Sequence, residues 1–351
     1  MMNINKWTLG LAAVGLVSLP VTNQAEEKVN ALGTALSSTI ISGYVNTSAH
    51  WDFGTGNNHV PGLSFYSGKQ DGFNMDVVQL SISKSLDENQ WAAGYKVDLW
   101  FGPDASALGT SSSSSDFAVA QAYIALRAPV GNGLDFKIGT FDTIIGYETR
   151  NAGDNPNYSR SYGYSIEPTT HTGILATYQF CEFFSAAAGV ANSFGPSVSE
   201  RSYYGKGSES YKTYMASVAL TAPSSWGWVG GSAVYAGMIN GLNKSSSINA
   251  KETSFYIGAT INTPLKALKV GTSFDYLAAH GTTANGKWAN AFALYASYQA
   301  TEKLSVHARG EYASTDIGAA SGATILNARK VFAFTGTVQY DLWKKNIMFR
   351  Q

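Results

Sequence analysis

The sequence predicts an all-β fold, a transmembrane antiparallel up-and-down barrel of about 14 to 16 strands. Three observations predict it. Apolar and polar residues alternate with period two through most of the chain. The connections between these segments alternate between short and long. The composition joins 36 Gly, 20 Tyr, 17 Phe and 8 Trp to only 14% charged residues, which is too aromatic for disorder and low in charge for an ordinary soluble protein. A chain of 351 residues could form two soluble domains, but a large barrel of this length is also one unit.

At the N-terminus Lys6 precedes an apolar run from Trp7 to Leu19, followed by Pro20 and a small-residue site at Asn23-Gln24-Ala25. That layout predicts a cleaved secretory signal peptide over residues 1–25, a short periplasmic lead over 26–38 and the barrel over 39–351. The apolar run falls short of the roughly 20 residues a spanning helix needs, and no later segment supplies such a run. A chain of this kind enters a membrane as strands.

The alternation predicts strands at 39–53, 73–86, 90–102, 116–128, 134–141, 172–180, 183–195, 211–222, 226–239, 252–263, 268–279, 288–300, 303–315 and 329–341, with a stub at 346–351. Short connections fall at 87–89, 130–133, 181–182, 222–225, 264–267, 301–302 and 342–345. Longer ones lie between them, at 54–72, 103–115, 142–171, 196–210, 240–251, 280–287 and 316–328. Short turns at one end and long loops at the other is the plan of an outer-membrane barrel, with the short turns periplasmic. A soluble Greek-key sandwich has no reason to sort its connections this way.

The strand faces agree. Leu304, Val306, Ala308, Gly310 and Tyr312 share one face while Ser305, His307, Arg309 and Glu311 share the other. Ala93, Tyr95, Val97, Leu99 and Phe101 oppose Lys96 and Asp98, and Phe332, Phe334, Val338 and Tyr340 oppose Thr335, Thr337 and Gln339. In 116–128, Ala118, Ala120, Ala122, Ile124 and Leu126 are read as one face against Gln121, Tyr123 and Arg127. Charges recurring on one face require water there. Alternation alone fits a soluble sheet as well as lipid outside and water inside. Aromatic placement decides between them: Trp51, Phe53, Trp100, Phe101, Tyr178, Phe180, Phe183, Phe184, Trp226, Trp228, Tyr340 and Trp343 gather near strand ends, where rings sit between hydrocarbon and headgroups.

The balance of Lys plus Arg at 24 against Asp plus Glu at 24 offers no basic surface for nucleic acid. The single Cys181 permits neither an intrachain disulfide framework nor a cysteine zinc site. None of His50, His59, His171, His280 and His307 lies in a Gly-x-Ser-x-Gly elbow or a His-Glu-x-x-His motif. Gly54-Thr55-Gly56 and Gly230-Gly231 lack the strand-to-helix context of a phosphate loop, and Ser111 to Ser115 reads as a loop tip. No cofactor and no enzymatic site is expected.

The stretch from Gly139 to Gly173 is the longest interval without strand alternation and carries most of the unusual polar chemistry. Gly139-Thr140-Phe141-Asp142-Thr143, Gly146-Tyr147-Glu148, Asn157-Tyr158-Ser159-Arg160-Ser161-Tyr162 and Thr170-His171-Thr172-Gly173 resemble the β-barrel porin family described as OmpL-like. Ser42-Gly43-Tyr44-Val45 and Gln339-Tyr340-Asp341-Leu342-Trp343 are also similar. The resemblance spans most of the mature chain and implies an outer-membrane porin of Gram-negative type, with outer-membrane lipid and small hydrophilic solutes as partners. It implies no catalytic residues. Outer-membrane barrels usually finish on a strand with a terminal aromatic residue, whereas this chain stops at Met348-Phe349-Arg350-Gln351. Two readings stay open: closure at fourteen strands, or a barrel of about sixteen lacking its last strands.

Asp142, Glu148, Arg150, Asp154, Arg160, Glu167 and His171 bring both signs into one long loop and are the expected pore constriction. Lys96, Asp98, Gln121, Arg127, Lys137, Asp275, His307, Arg309 and Glu311 are the expected lumen-facing residues. Opposed charges across a pore order water and sort solutes by size and charge; the same charges could instead pair with one another to hold a surface loop. Three functions follow. A diffusion channel is favoured; a sugar-selective channel would use Tyr123, Tyr256 and Tyr295 as stacking platforms; an adhesin or structural barrel would use its long outer loops. A homotrimer is the expected assembly, though no residue identifies its contact face.

Overall fold

The computed structural model describes residues 38–51, 72–87, 91–107, 116–196, 198, 210–242, 250–281, 287–316, 330–343 and 347–350. The expected signal peptide, nearly all of the lead, the serine tip at 111–115, His59, Gly54-Thr55-Gly56 and the greater part of six long connections lie outside the described residues. The connection between residues 142 and 171 lies wholly inside them.

The described strands are β1 (Ile40–His50), β2 (Gly72–Lys84), β3 (Ala92–Phe101), β4 (Phe117–Ala128), β5 (Leu134–Asp142), β6 (Thr170–Gln179), β7 (Phe184–Ala191), β8 (Thr213–Thr221), β9 (Ala233–Leu242), β10 (Ala250–Asn262), β11 (Leu268–Gly281), β12 (Lys287–Gln299), β13 (Leu304–Thr315), β14 (Lys330–Asp341) and β15 (Met348–Arg350). Each is hydrogen-bonded to its neighbours in sequence, giving one 15-stranded antiparallel meander. Among the described residues no pairing joins β15 back to β1.

Side chains sort across this sheet by period two. On β8, Thr213, Met215, Ser217 and Ala219 are buried while Tyr214, Val218 and Leu220 face out. On β13, Ser305, Arg309 and Glu311 are buried and Val306 is exposed. The outer surface is a broad apolar band that includes Ile124, Leu126, Ile138, Ile174, Val234, Ile257, Phe274, Leu294 and Phe334. Rings border it at both ends: Trp91, Phe180, Phe183, Trp226, Trp228, Tyr298 and Trp343 beside the short turns, and Trp51, Phe73, Phe101, Phe117 and Tyr214 beside the long connections. A continuous apolar surface of this extent is stable only against a nonaqueous phase.

Two expectations about the strands are corrected. In β4 the register shifts between Asp98 and Leu99 of the partner strand, leaving Ala120 as an extra residue. This β-bulge reverses the alternation, so Ala118 pairs with the inward Trp100 and both are buried, whereas Ala122 keeps the expected outward side. The strand expected at 226–239 begins only at Ala233, because Ser224–Val229 forms a 3₁₀ turn. Gly227 and Gly231 adopt φ of 66° and 82° there, conformations open to glycine, and Gly231 N–H closes the turn on Ala222 O at 2.8 Å. The spacing of Trp226 and Trp228 therefore belongs to a turn that presents both rings outward.

The interior is also less uniformly polar than expected. Leu175, Ala187, Ala191, Met215, Ala219, Ala233, Tyr235 and Ile239 form an apolar inner sector on β6 to β9. It is covered by Ile144, Ile145, Tyr147 and Ile166, all from the connection between β5 and β6. Burying Ile144 and Ile145 contributes about 1.5–3 kcal/mol each relative to exposure. This connection is thus held inside the sheet's curve by the hydrophobic effect.

Candidate pore constriction

The segment 143–169 leaves β5 and returns to β6 through a neck closed by Thr143 N–H on Thr169 O at 3.0 Å. Gly146, at φ 108°, turns it inward, and a Cβ at that position would collide with the Glu167 carboxylate. Asn155 then ties off a tight bend: its Oδ1 accepts from Thr149 N at 2.8 Å, and its Nδ2 donates to Thr149 O and Asn151 O, each at 2.8 Å. A short helix at Tyr162–Ile166 starts from Ser161, whose side chain accepts from Tyr164 N at 3.1 Å. The Asn-rich, Gly-punctuated sequence thus yields a compact folded segment whose side chains satisfy its own backbone.

This segment reaches the strands on the far side of the sheet. Tyr147 stacks on Tyr295 of β12 with ring centroids 3.9 Å apart and planes 14° from parallel. Arg309 of β13 is the central clasp: Nη1 meets Glu148 Oε1 and Ser159 O at 2.7 Å, Nε meets Glu311 Oε2 at 2.6 Å, and Nη2 meets Ser159 Oγ at 3.0 Å. The remaining carboxylate oxygens take backbone donors, Ser161 N on Glu148 Oε2 at 2.7 Å and Tyr162 N on Glu311 Oε1 at 2.8 Å. One buried cation between two buried carboxylates is tolerable because every partner is hydrogen-bonded.

Farther along, the segment contacts both ends of the meander. Tyr158 Oη donates to Asp76 Oδ2 of β2 at 2.9 Å, and Asn157 Oδ1 accepts from Thr337 Oγ1 of β14 at 2.9 Å. Arg350 of β15 donates to Ala152 O, and to Gly153 O at 3.3 Å. Asp76 points inward because β1 and β2 shift register between Asn46 and Thr47, which places it as the extra residue of a second bulge.

The remaining expected constriction residues take distinct places. Asp142, at the end of β5, accepts from Arg150 Nε at 2.9 Å and pairs with its Nη2. Arg160 donates Nη1 to Tyr158 O at 2.8 Å and Nη2 to Arg150 O at 2.6 Å. Asp154 is exposed and accepts from Asn151 Nδ2 at 2.9 Å. Glu167 lies against Asp275 of β11, and burial first, then the Asp275 charge and the hydrogen bond they share, push the Glu167 carboxyl well above its ordinary range. His171 lies on β6 rather than in the connection; it is buried, with Nε2 3.3 Å from Thr143 Oγ1.

Of the expected lumen residues, Lys96, Asp98 and Gln121 form one cluster on β3 and β4, where Asp98 takes Lys96 Nζ at 3.2 Å, Gln121 Nε2 at 2.9 Å and Ser81 Oγ at 2.6 Å. Arg127 sits near the short turn in a bidentate pair with Asp135 at 2.6 Å. Lys137 Nζ lies 4.9 Å from the Tyr123 ring centroid, and His307 bridges Ser297 and Ser305 at 2.9 and 3.0 Å. The three tyrosines considered as sugar platforms are covered by the protein itself: Tyr295 by Tyr147, Tyr123 by Lys137, and Tyr256 by burial in the apolar sector. Sequence reasoning placed Thr337 on the polar face of its strand but did not single out Asp76, Asn157, Tyr158 and Tyr147 as site residues. The density of Asn and Tyr between Tyr147 and Tyr162 was the available signal.

No curated protein matches the chain significantly in sequence. Solved structures do match in fold. An anion-selective porin from Comamonas acidovorans superposes with a TM-score of 0.57 at 12% identity, covering 87% of this chain and 85% of that one. The outer membrane channel DcaP of Acinetobacter baumannii gives 0.54 at 12% identity over 86% of each chain, and Salmonella typhi OmpF, in complex with daunomycin, gives 0.53 at 9% identity over 78% and 82%. At these identities the likeness is one of fold. The model of the family described as "Putative beta-barrel porin-2, OmpL-like" matches residues 38–351, so the chain belongs to that family of outer-membrane porins.

Proposed function

We propose that the barrel is a diffusion channel for small hydrophilic solutes and that segment 143–169 is its constriction. The observation that carries this reading is the clasp of Glu148 and Glu311 on Arg309, which fixes a segment from the β5–β6 connection onto β13. A loop standing outward could not make that contact. The family and the fold are those of a channel in the bacterial outer membrane, and export through a cleaved signal peptide at residues 1–25 and assembly as a homotrimer belong to the same proposal. The intact mass of purified protein and its mass in detergent test these two points.

Purified, folded protein in a planar lipid bilayer should give discrete conductance steps. Arg309→Ala leaves two buried carboxylates without their cation, a loss of about 3–5 kcal/mol in anchoring, and its steps should be larger and noisier. Folded protein without steps would remove the channel reading; unchanged steps in the variant would remove the constriction while leaving the channel.

A further inference from the structure

Near the tip of the inward segment, three polar groups have hydrogen-bonding capacity that none of the described residues uses. Arg150 and Arg160 are 5% and 3% exposed, yet Nη1 of Arg150 and Nε of Arg160 have no partner. The hydroxyl of Tyr44, on β1, is buried and equally unpartnered. They belong together: Arg160 bonds Arg150 O at 2.6 Å, and both guanidinium groups lie within electrostatic reach of the Tyr44 hydroxyl. Tyr44 packs against the cluster that holds Trp100 and Tyr164. Those two rings back the guanidinium groups, Arg150 at 5.3 Å from the Trp100 centroid and Arg160 at 5.7 Å from that of Tyr164. The amide Nδ2 of Asn157 nearby is also unpartnered.

Charge completes the case. Arg150 is paired with Asp142, but Arg160 enters none of the ion pairs described and donates only to two backbone carbonyls. Two further carboxylates act on the Tyr44 hydroxyl: Asp154, which is exposed and holds Asn151, and Asp104, which is buried; neither forms a described ion pair with Arg160. Buried donors without partners are costly, and a guanidinium without a counter-ion more so. Donors on two planar forks and one hydroxyl suit an anion whose oxygens can accept several bonds at once.

We propose that Arg150, Arg160 and Tyr44 form a binding site for a small oxyanion, a carboxylate or phosphate, on the route through the barrel. The proposal rests on the channel reading, so binding and conductance are measured separately. Calorimetric titration of detergent-solubilised, folded protein with sodium acetate, and in a second arm with inorganic phosphate, should give saturable heat in at least one arm. The arm that binds identifies the headgroup. Tyr44→Phe deletes a hydroxyl that bonds none of the described residues, so the fold is kept and affinity should fall roughly 5- to 10-fold. Arg160→Gln should weaken it by more than about 10-fold; if that variant does not fold, Tyr44→Phe decides alone.

Saturable heat lost in Tyr44→Phe supports the site. No saturable heat from either anion, or unchanged affinity in folded Tyr44→Phe, overturns it: the buried donors then hold water only. Conductance without binding retires the site and leaves the channel; binding without conductance does the reverse.

Discussion

Among single residues, Glu167 shows how a carboxylate in this segment differs from one in water. Half-buried against Asp275, it is pushed up chiefly by desolvation and then by the neighbouring negative charge, so its neutral, proton-donating form is favoured when the segment is docked. The stabilisation is therefore fully present below the ordinary glutamate range and is lost as pH rises through the raised value. Above that value two carboxylates repel across a buried contact. Single-channel steps should grow noisier as pH is raised through that window, and Glu167→Gln, which keeps a neutral donor at every pH, should flatten the response; an unaltered pH profile in the variant would sink this role. The sequence displayed these charges but not their pairing. Arg309 and Glu311 were legible as inward residues from strand parity alone, whereas their union with Glu148, 161 positions earlier, depends on how far the segment reaches. Asp76 was hidden by a bulge that no alternation pattern announces.

At the scale of elements, strands were the most legible part because lipid outside and packed or polar groups inside impose period two on nearly every span. Parity misled where the backbone inserted a residue at Ala120, and where Trp226 and Trp228 imitated a strand from within a turn. Repeated turn chemistry was also present in the sequence but unread. Gln179 Nε2 donates to Cys181 O and Phe184 O, and Gln299 Nε2 donates to Thr301 O and Leu304 O, the same device at two short turns. The inward segment follows different rules, since its shape depends on single residues such as Gly146. Gly146→Ala forces a side chain into φ 108° and into the Glu167 carboxylate, with strain of roughly 1–3 kcal/mol. The variant should keep its heat-resistant barrel mobility on gels while protease nicks segment 143–169 faster than in the parent. Equal nicking rates would show that the glycine is not what sets the inward turn.

The whole molecule poses a problem that its inward segment partly answers. An open sheet edge in lipid leaves unpaired backbone groups, each costing several kcal/mol, and the described pairings do not join β15 to β1. Yet the segment bonds Asp76 on β2 and Thr337 on β14 through the Tyr158 and Asn157 side chains, and Arg350 on β15 through the Ala152 carbonyl, so one connection ties the two ends of the meander across the interior. The proposed orientation of that meander, with the short turns periplasmic, rests on the sorting of its connections. The chain carries its own probe of this arrangement. Cys181, the single cysteine, is exposed in the turn between β6 and β7, where Gln179 and the Phe180–Phe184 ring pair hold the backbone. A maleimide joined to a polymer too large for the channel should leave Cys181 unmodified on intact cells and modify it fully once the outer membrane is permeabilised, read as a mass shift on a gel. Modification on intact cells would turn the barrel over, placing segment 143–169 at the periplasmic mouth and the short turns outside. The conductance predictions would survive that result, because the clasp on Arg309 does not depend on which side the segment enters from.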